Sequence, residues 1–312
     1  MADAGRNHGG HAVRRPRTAR WPIPPAFAFA LMVCALVRSP ALAESWEQIP
    51  PNPQVGIEYR EPTSPGLASL YQELKARKIL EEMQHFLAPL HLPHHLQLVM
   101  LECDPDHDHA DHGINAFYNP SIRQLWLCYE FVAADIKEAP ATVTADGFIT
   151  REASIVGDLI GTALHESGHM MFHMFNVPVF GREEDAADEM AIYMAMKFNK
   201  DIERVIVKGF VYYWSRDKDP PSEVSGMRAF SDVHGTASQR MYNSLCLAYG
   251  GDREQFQEFV DRGWLPKQRA DHCGQEFDQL KRAFEETLEP FIDQDLMARV
   301  GKTDWLEPEE LK

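Results

Sequence analysis

Apolar positions change period twice along the chain, and the changes mark out its elements. From Gly66 to about Leu90, Leu67, Leu70, Leu74, Ile79, Leu80 and Phe86 recur among charges at near-helical spacing. Leu96 to Leu101 (LQLVML) is instead a short continuous apolar run, which predicts a buried strand ending at Cys103. Ile122 to Leu127 (IRQLWL) predicts a second strand, leading through Cys128 and Tyr129-Glu130 into a short helix towards Lys137. Residues 139–150 form a connector, and a long helix then runs from about Ala153 to Phe175, closed by Asn176 and Pro178. After a turn at Gly181, residues 183–199 return to helical spacing. An aromatic stretch (Phe210 to Trp214), a loop with Pro220-Pro221 and mostly helical patterns complete the chain. Residues 44–65, rich in proline and polar residues, predict an irregular entry segment. Strands followed by helices predict an α+β fold: a small antiparallel sheet ahead of a mostly helical part.

The start of the chain belongs to a different class. Arg6, Arg14, Arg15, Arg17 and Arg20 precede an apolar run from Ala26 to Val37, and Ala41-Leu42-Ala43 follows. A basic leader, a short apolar stretch and a small-x-small end predict a secretory signal peptide over residues 1–43. The alternative is an uncleaved anchor, but about a dozen apolar residues fall short of the roughly 20 that span a bilayer. Residues 66–312 are then expected to form one domain, exported to a periplasmic or extracellular space. Removing the leader's six arginines and one acid from the chain's 31 basic and 47 acidic residues leaves 25 against 46. Such a surface repels nucleic acid and anionic lipid, so neither is an expected partner. The sequence leaves the oligomeric state open.

Export also bears on the cysteines. Cys34 lies in the leader, leaving Cys103, Cys128, Cys246 and Cys273, for which three pairings exist. The sequence-local choice, Cys103–Cys128 and Cys246–Cys273, closes loops of about 25 residues, worth roughly 3 kcal/mol each. An oxidising compartment favours disulfides over four buried thiols, and no CxxC spacing supports a four-cysteine zinc site.

The chemistry concentrates in His165-Glu166-Ser167-Gly168-His169, on the long predicted helix. Histidines at i and i+4 project from one face, the spacing at which two ring nitrogens reach one zinc ion at ~2.0–2.1 Å. Glu166 points about 100° around the helix, so it is placed to meet a water on the metal rather than the metal itself. Leu159, Ile160, Ala163, Leu164, Met171 and Phe172 surround the motif, and buried histidines and carboxylates need partners.

A catalytic zinc site asks for a third protein ligand and an open position. Glu184, fifteen residues beyond His169, is the leading candidate, with Asp188 one turn later and the small Ala191 and Ala195 on the same face. That face can pack closely on the histidine helix, bringing Asp188 behind a histidine to accept its outer ring N–H. Glu183, Asp185 and Glu189 are competitors for the ligand role. The acids of 183–185 also suit a helix N-terminus without any metal. His173 would lie ~12 Å along the axis from His165, too far to share its ion.

With Glu184 and Asp188 the chain resembles the gluzincin clan of metallopeptidases, in which HExxH is followed by ExxxD. More narrowly it is similar to a bacterial domain-of-unknown-function family classed with metallopeptidases. The resemblance runs through Asn115-Ala116-Phe117-Tyr118, Leu127-Cys128-Tyr129-Glu130, the HESGH segment, Gly181 to Asp188, Asp232-Val233-His234, Gln239 to Asn243 and Arg269-Ala270-x-x-Cys273. It implies a zincin-like fold, His165, His169 and Glu184 as ligands of one zinc ion, Glu166 as the base, and peptides or proteins as substrates. In such enzymes a later histidine or tyrosine stabilises the oxyanion. His234, oriented by Asp232, matches that role, and a solvated or helix-capping histidine is the plain alternative. Arg240 is expected to pair with Asp232 or Glu130. Asn115 to Tyr118 reads as a plain turn with two core aromatics, or as an edge strand that receives substrate. The run from Asp106 to His112, rich in His and Asp, departs from the family pattern. A solvated loop is its ordinary reading, and a second metal site the other.

Two other functions remain on the sequence: a binding protein that keeps the metal as a closed structural element, and an exported metal scavenger using residues 106–112.

Overall fold

A computed structural model describes residues 46–103, 116–216 and 227–306. The leader, the His/Asp-rich run at 106–112, Asn115 and the Pro220-Pro221 loop lie outside the described residues. Among those described, no helix is long and apolar enough to cross a membrane.

Strand β1 is Val55–Tyr59, followed by α1 (Ala68–Ala76) and α2 (Ile79–Phe86). The helical pattern after Gly66 is thus split, at Lys78, whose φ of 59° interrupts the helix. Strands β2 (Leu96–Leu101), β3 (Ala116–Asn119) and β4 (Gln124–Cys128) lead into α3 (Tyr129–Glu138), α4 (Arg151–Met174), α5 (Glu183–Ala195) and α6 (Lys200–Arg216). Helices α7 (Met227–Ser231), α8 (Ala237–Gly251), α9 (Arg253–Asp261), α10 (Lys267–Thr287) and α11 (Gln294–Val300) complete the α+β fold.

The sheet corrects two expectations. Its order is β1-β2-β4-β3, and it is mixed rather than antiparallel. β1 pairs parallel with β2, and β2 parallel with β4, so the two apolar runs read from the sequence lie side by side in the same direction. Only β3 and β4 are antiparallel, as a hairpin with Ala116 opposite Leu127 and Asn119 opposite Gln124. Between β1 and β2 the α1–α2 crossover returns the chain to the starting end of the sheet, and between β2 and β4 the strand β3 runs back antiparallel, so β4 sets out in the direction of β2. The second correction is β1 itself, within a segment expected to be irregular. Its alternation is short, and Pro50, Pro51 and Pro53 immediately before it conceal it.

α4 lies at the centre and packs against β3, β4, α3, α5 and α6. Thr150 caps it, accepting the Ala153 N–H, and the chain leaves the helix at Asn176, whose φ of 52° an asparagine tolerates. α4 and α6 cross with their backbones in contact. A Cβ on Gly157 would collide with the Val205 carbonyl, and one on Gly209 with the Gly157 backbone. The disulfides are the sequence-local ones. Cys103–Cys128 joins the chain just after β2 to the end of β4, and Cys246–Cys273 joins α8 to α10.

Under the other end of α4, a buried cluster ties three helices together. Asp135 of α3 and Asp158 of α4 are both nearly inaccessible to solvent, and each bears on the ionisation of the other. Arg216 of α6 stands 2.8 Å from Asp135 Oδ1, 3.6 Å from Asp158 Oδ2 and 3.4 Å from Glu138, and Thr162 donates to Asp158 Oδ1. One guanidinium cannot balance two buried carboxylates gathered around it, so the group favours keeping a proton. Burial, with Asp135 beside it, pushes Asp158 well above the usual carboxylate range. Since the unfolded chain has already lost that proton, this contribution to stability is full at acid pH and declines as pH rises towards the folded value. Asp158→Asn is therefore expected to flatten the fall in Tm as pH rises above the unfolded carboxylate value of about 4. Thermal melts of both proteins across that range check it; identical slopes would show that the pair carries no proton.

Candidate metal centre

The spacing of His165 and His169 on α4 sets their rings on one face, with the two Nε2 atoms 3.3 Å apart. Gly168 lies between them on the side turned to α5. A Cβ there would stand 3.2 Å from both Ala187 Cα and Met190 Cβ, so α5 approaches closely because the position is glycine. Gly181, at φ 119°, turns the chain into α5, whose first turn carries Glu183, Glu184 and Asp185. Acids there suit the helix N-terminus. Of the three, Glu184 faces the histidines: its Oε2 is 3.3 Å from His165 Nε2 and 3.5 Å from His169 Nε2.

Each imidazole is oriented from behind. Asp188 Oδ1 stands 2.9 Å from His165 Nδ1, and Glu183 Oε1 stands 2.8 Å from His169 Nδ1. Asp188 is in turn gripped by Arg240, whose Nε and Nη2 donate to its two oxygens at 2.6 Å each. The Arg240 guanidinium lies 3.6 Å from the centre of the Trp214 ring. A capping box between Thr236 and Gln239 starts α8 and so places Arg240 in its first turn. His234, just ahead of that cap, directs Nε2 to Glu184 Oε2 at 3.1 Å and Nδ1 to Asp232 Oδ1 at 3.2 Å.

Glu166 stands apart from the ligand face, as its angle on the helix requires. Its Oε1 is 4.0 Å from His165 Nε2, and its Oε2 accepts the backbone N–H of Tyr118 in β3 at 2.7 Å.

The donor set fits a divalent metal. Ligand atoms of His165, His169 and Glu184 all lie within 4.8 Å of one another. Atoms ~2.0–2.2 Å from a tetrahedral zinc stand roughly 3.3–3.6 Å apart, and the separations here match. Glu184 Oε2 is buried with three ring nitrogens at 3.1–3.5 Å, yet no well-directed hydrogen bond reaches it. A buried carboxylate oxygen facing ring nitrogens without a hydrogen bond is an atom that a cation would satisfy.

The electrostatics follow the same crowding. Burial disfavours a charged His165, but Asp188 and Glu184 outweigh it and lift its pKa to about 9. Burial likewise opposes ionisation of Glu184, and the imidazoles of His165, His169 and His234 overcome it, holding the carboxyl far below its usual range. Burial raises Glu166, offset in part by His165 and His169.

The structure thus gathers His165, Glu166, His169, Glu184, Asp188, Asp232 and His234 in one place. It reassigns several of their neighbours. Glu183, a competing ligand on the sequence, sits behind His169, while Asp185 pairs with Arg182 at 2.7 Å. Arg240 joins Asp188, not Asp232 or Glu130; Glu130 accepts the Cys103 N–H instead. Ala116–Asn119 is a strand beside Glu166 rather than a plain turn, and His173 bonds the Tyr118 hydroxyl at 2.9 Å. The Tyr118 contact with Glu166 had no side-chain signal to find, because a backbone N–H makes it.

No curated protein and no solved structure compared with the chain matches it. A family model does, the one described as putative metallopeptidase and designated DUF4344, and it covers residues 59–288. That match includes β2, β3, β4, α4, α5 and the His234–Arg240 segment, so the chain belongs to this putative metallopeptidase family.

Proposed function

We propose that the protein is an exported zinc-dependent peptidase with a zincin-like catalytic domain. The observation that carries this reading is the convergence of His165, His169 and Glu184 on a common point, with the Glu166 carboxylate beside it and outside the ligand set. His165, His169 and Glu184 would hold the ion, with Asp188 and Glu183 fixing the imidazole tautomers and raising their basicity. When bound, zinc supplies Lewis acidity that polarises a carbonyl and acidifies water. Glu166 takes the proton of the attacking water and passes it to the leaving nitrogen as the C–N bond breaks and the new C–O bond remains. His234, held by Asp232, is the donor for the oxyanion that forms on the way. Peptide substrates follow from the family. Export is supported by the three-part leader and by two disulfides.

A closed, non-catalytic metal site is the second reading, favoured by His234 Nε2 lying 3.1 Å from the ligand oxygen, where it could complete four protein ligands. Metal analysis with a peptide-library digest separates the two. We expect one zinc per chain, cleavage abolished by chelation and restored by zinc, and metal retained in His234→Ala with slower cleavage. A zinc-replete protein that cleaves nothing, with His234→Ala losing its metal, would replace the peptidase reading with the structural one.

A further inference from the structure

β3 meets α4 at two points. Tyr118 N–H donates to Glu166 Oε2 at 2.7 Å, and the Tyr118 hydroxyl stands 2.9 Å from His173 Nδ1, with the rings 5.7 Å apart. Glu166 and His173 are seven residues apart on α4, close to two full turns, so they project from the same face. β3 has four residues and, among the described residues, stands last in the sheet order, paired with β4. Its two hydrogen-bonding contacts through Tyr118 help to set its distance from α4. Burial pushes the Tyr118 phenol up to about 12, so it stays neutral and shares one hydrogen with His173 Nδ1, the imidazole tautomer deciding which of the two donates.

We propose that the Tyr118–His173 hydrogen bond is a positioning device for Glu166. His173 fixes where Tyr118 stands, and the Tyr118 N–H then pins one oxygen of the Glu166 carboxylate, leaving Oε1 turned towards the metal ligands. The inference rests on Glu166 being the base, and it gives a role to a histidine that lies too far along the helix to be a ligand. Releasing the hydroxyl would let β3 drift from α4 and let the carboxylate rotate away from the water it must meet. A misplacement on the order of 1 Å in such a group costs up to about a hundredfold in rate.

His173→Phe removes one partner and keeps a ring, Tyr118→Phe removes the other, and His173→Gln offers an amide that can again donate or accept. In the zinc-loaded protein, each Phe variant should lower kcat by roughly ten- to a hundredfold with KM held within about twofold. The double variant should be no slower than either single one, and His173→Gln should recover most of the loss. Independently of activity, amide hydrogen exchange at Tyr118 should accelerate in His173→Phe while Leu125 and Leu127 in β4 keep their rates. Unchanged exchange at Tyr118, losses that multiply in the double variant, or exchange that rises throughout β4 would each overturn the proposal. If the wild-type chain cleaves no peptide, the peptidase reading fails, and exchange at Tyr118 still decides whether His173 holds the strand.

Discussion

Replacing Glu166 with Gln is expected to lower kcat by about 10²–10⁴-fold while the protein keeps its metal and its fold. The amide has the shape of the carboxylate, and its oxygen can still accept the Tyr118 N–H, so the contact to β3 survives. What disappears is a group able to take a proton. Glu166 lies 100° around α4 from His165, outside the ligand set, so metal content should not change. Zinc analysis beside single-turnover kinetics on a peptide found in the library digest makes the comparison. Equal rates in the two proteins would mean that Glu166 is not the base.

The second large effect is expected at Arg240, which lies outside the His165, His169 and Glu184 group. Its guanidinium and the Asp188 carboxylate form a buried bidentate pair at 2.6 Å, and Asp188 in turn faces His165 Nδ1. Arg240→Met would fill much of the volume over Trp214 but leave Asp188 buried with half of its partners gone. Breaking such a pair from one side costs about 3–5 kcal/mol, a fall in Tm on the order of 10 °C for a protein of this size. Arg240→Lys should fall between, since an ammonium cannot reproduce the two-pronged contact. Denaturant melts of the metal-free proteins measure the difference without contribution from zinc. A loss below about 1 kcal/mol in the Met variant would mean that water replaces the guanidinium and that the pair is not truly buried.

Sequence and structure agree best where one element carries its own signal. The spacing of His165 and His169, the apolar residues around them and the stop at Asn176 and Pro178 define α4 to within a residue or two. Glu184 and Asp188 follow from helical spacing and the small Ala191 and Ala195, and the close approach of α5 is made at Ala187, which the sequence reading does not single out. Agreement fails where the information lies in pairing. The period of β2 and β4 says nothing about their relative direction, yet a signal existed: Cys103 and Cys128 each follow the C-terminal end of an apolar run. A bridge between like ends favours parallel neighbours. Arg240 was harder, because a buried cation needs an acid and the chain offers many; only the packing of α8 beside α5 selects Asp188. His173 has a spacing that suggests a third ligand, and its true partner comes from a strand that the pattern barely marks.

The backbone contact between α4 and α6 has a mechanical consequence. Where Gly157 meets Gly209 no side chain lies between the helices to act as a bearing, so α4 can neither roll nor slide without carrying α6 along. The face of α4 that carries His165 and His169 is thereby braced from behind, and across the site stand Tyr118 of β3 and the short stretch that presents His234 ahead of α8.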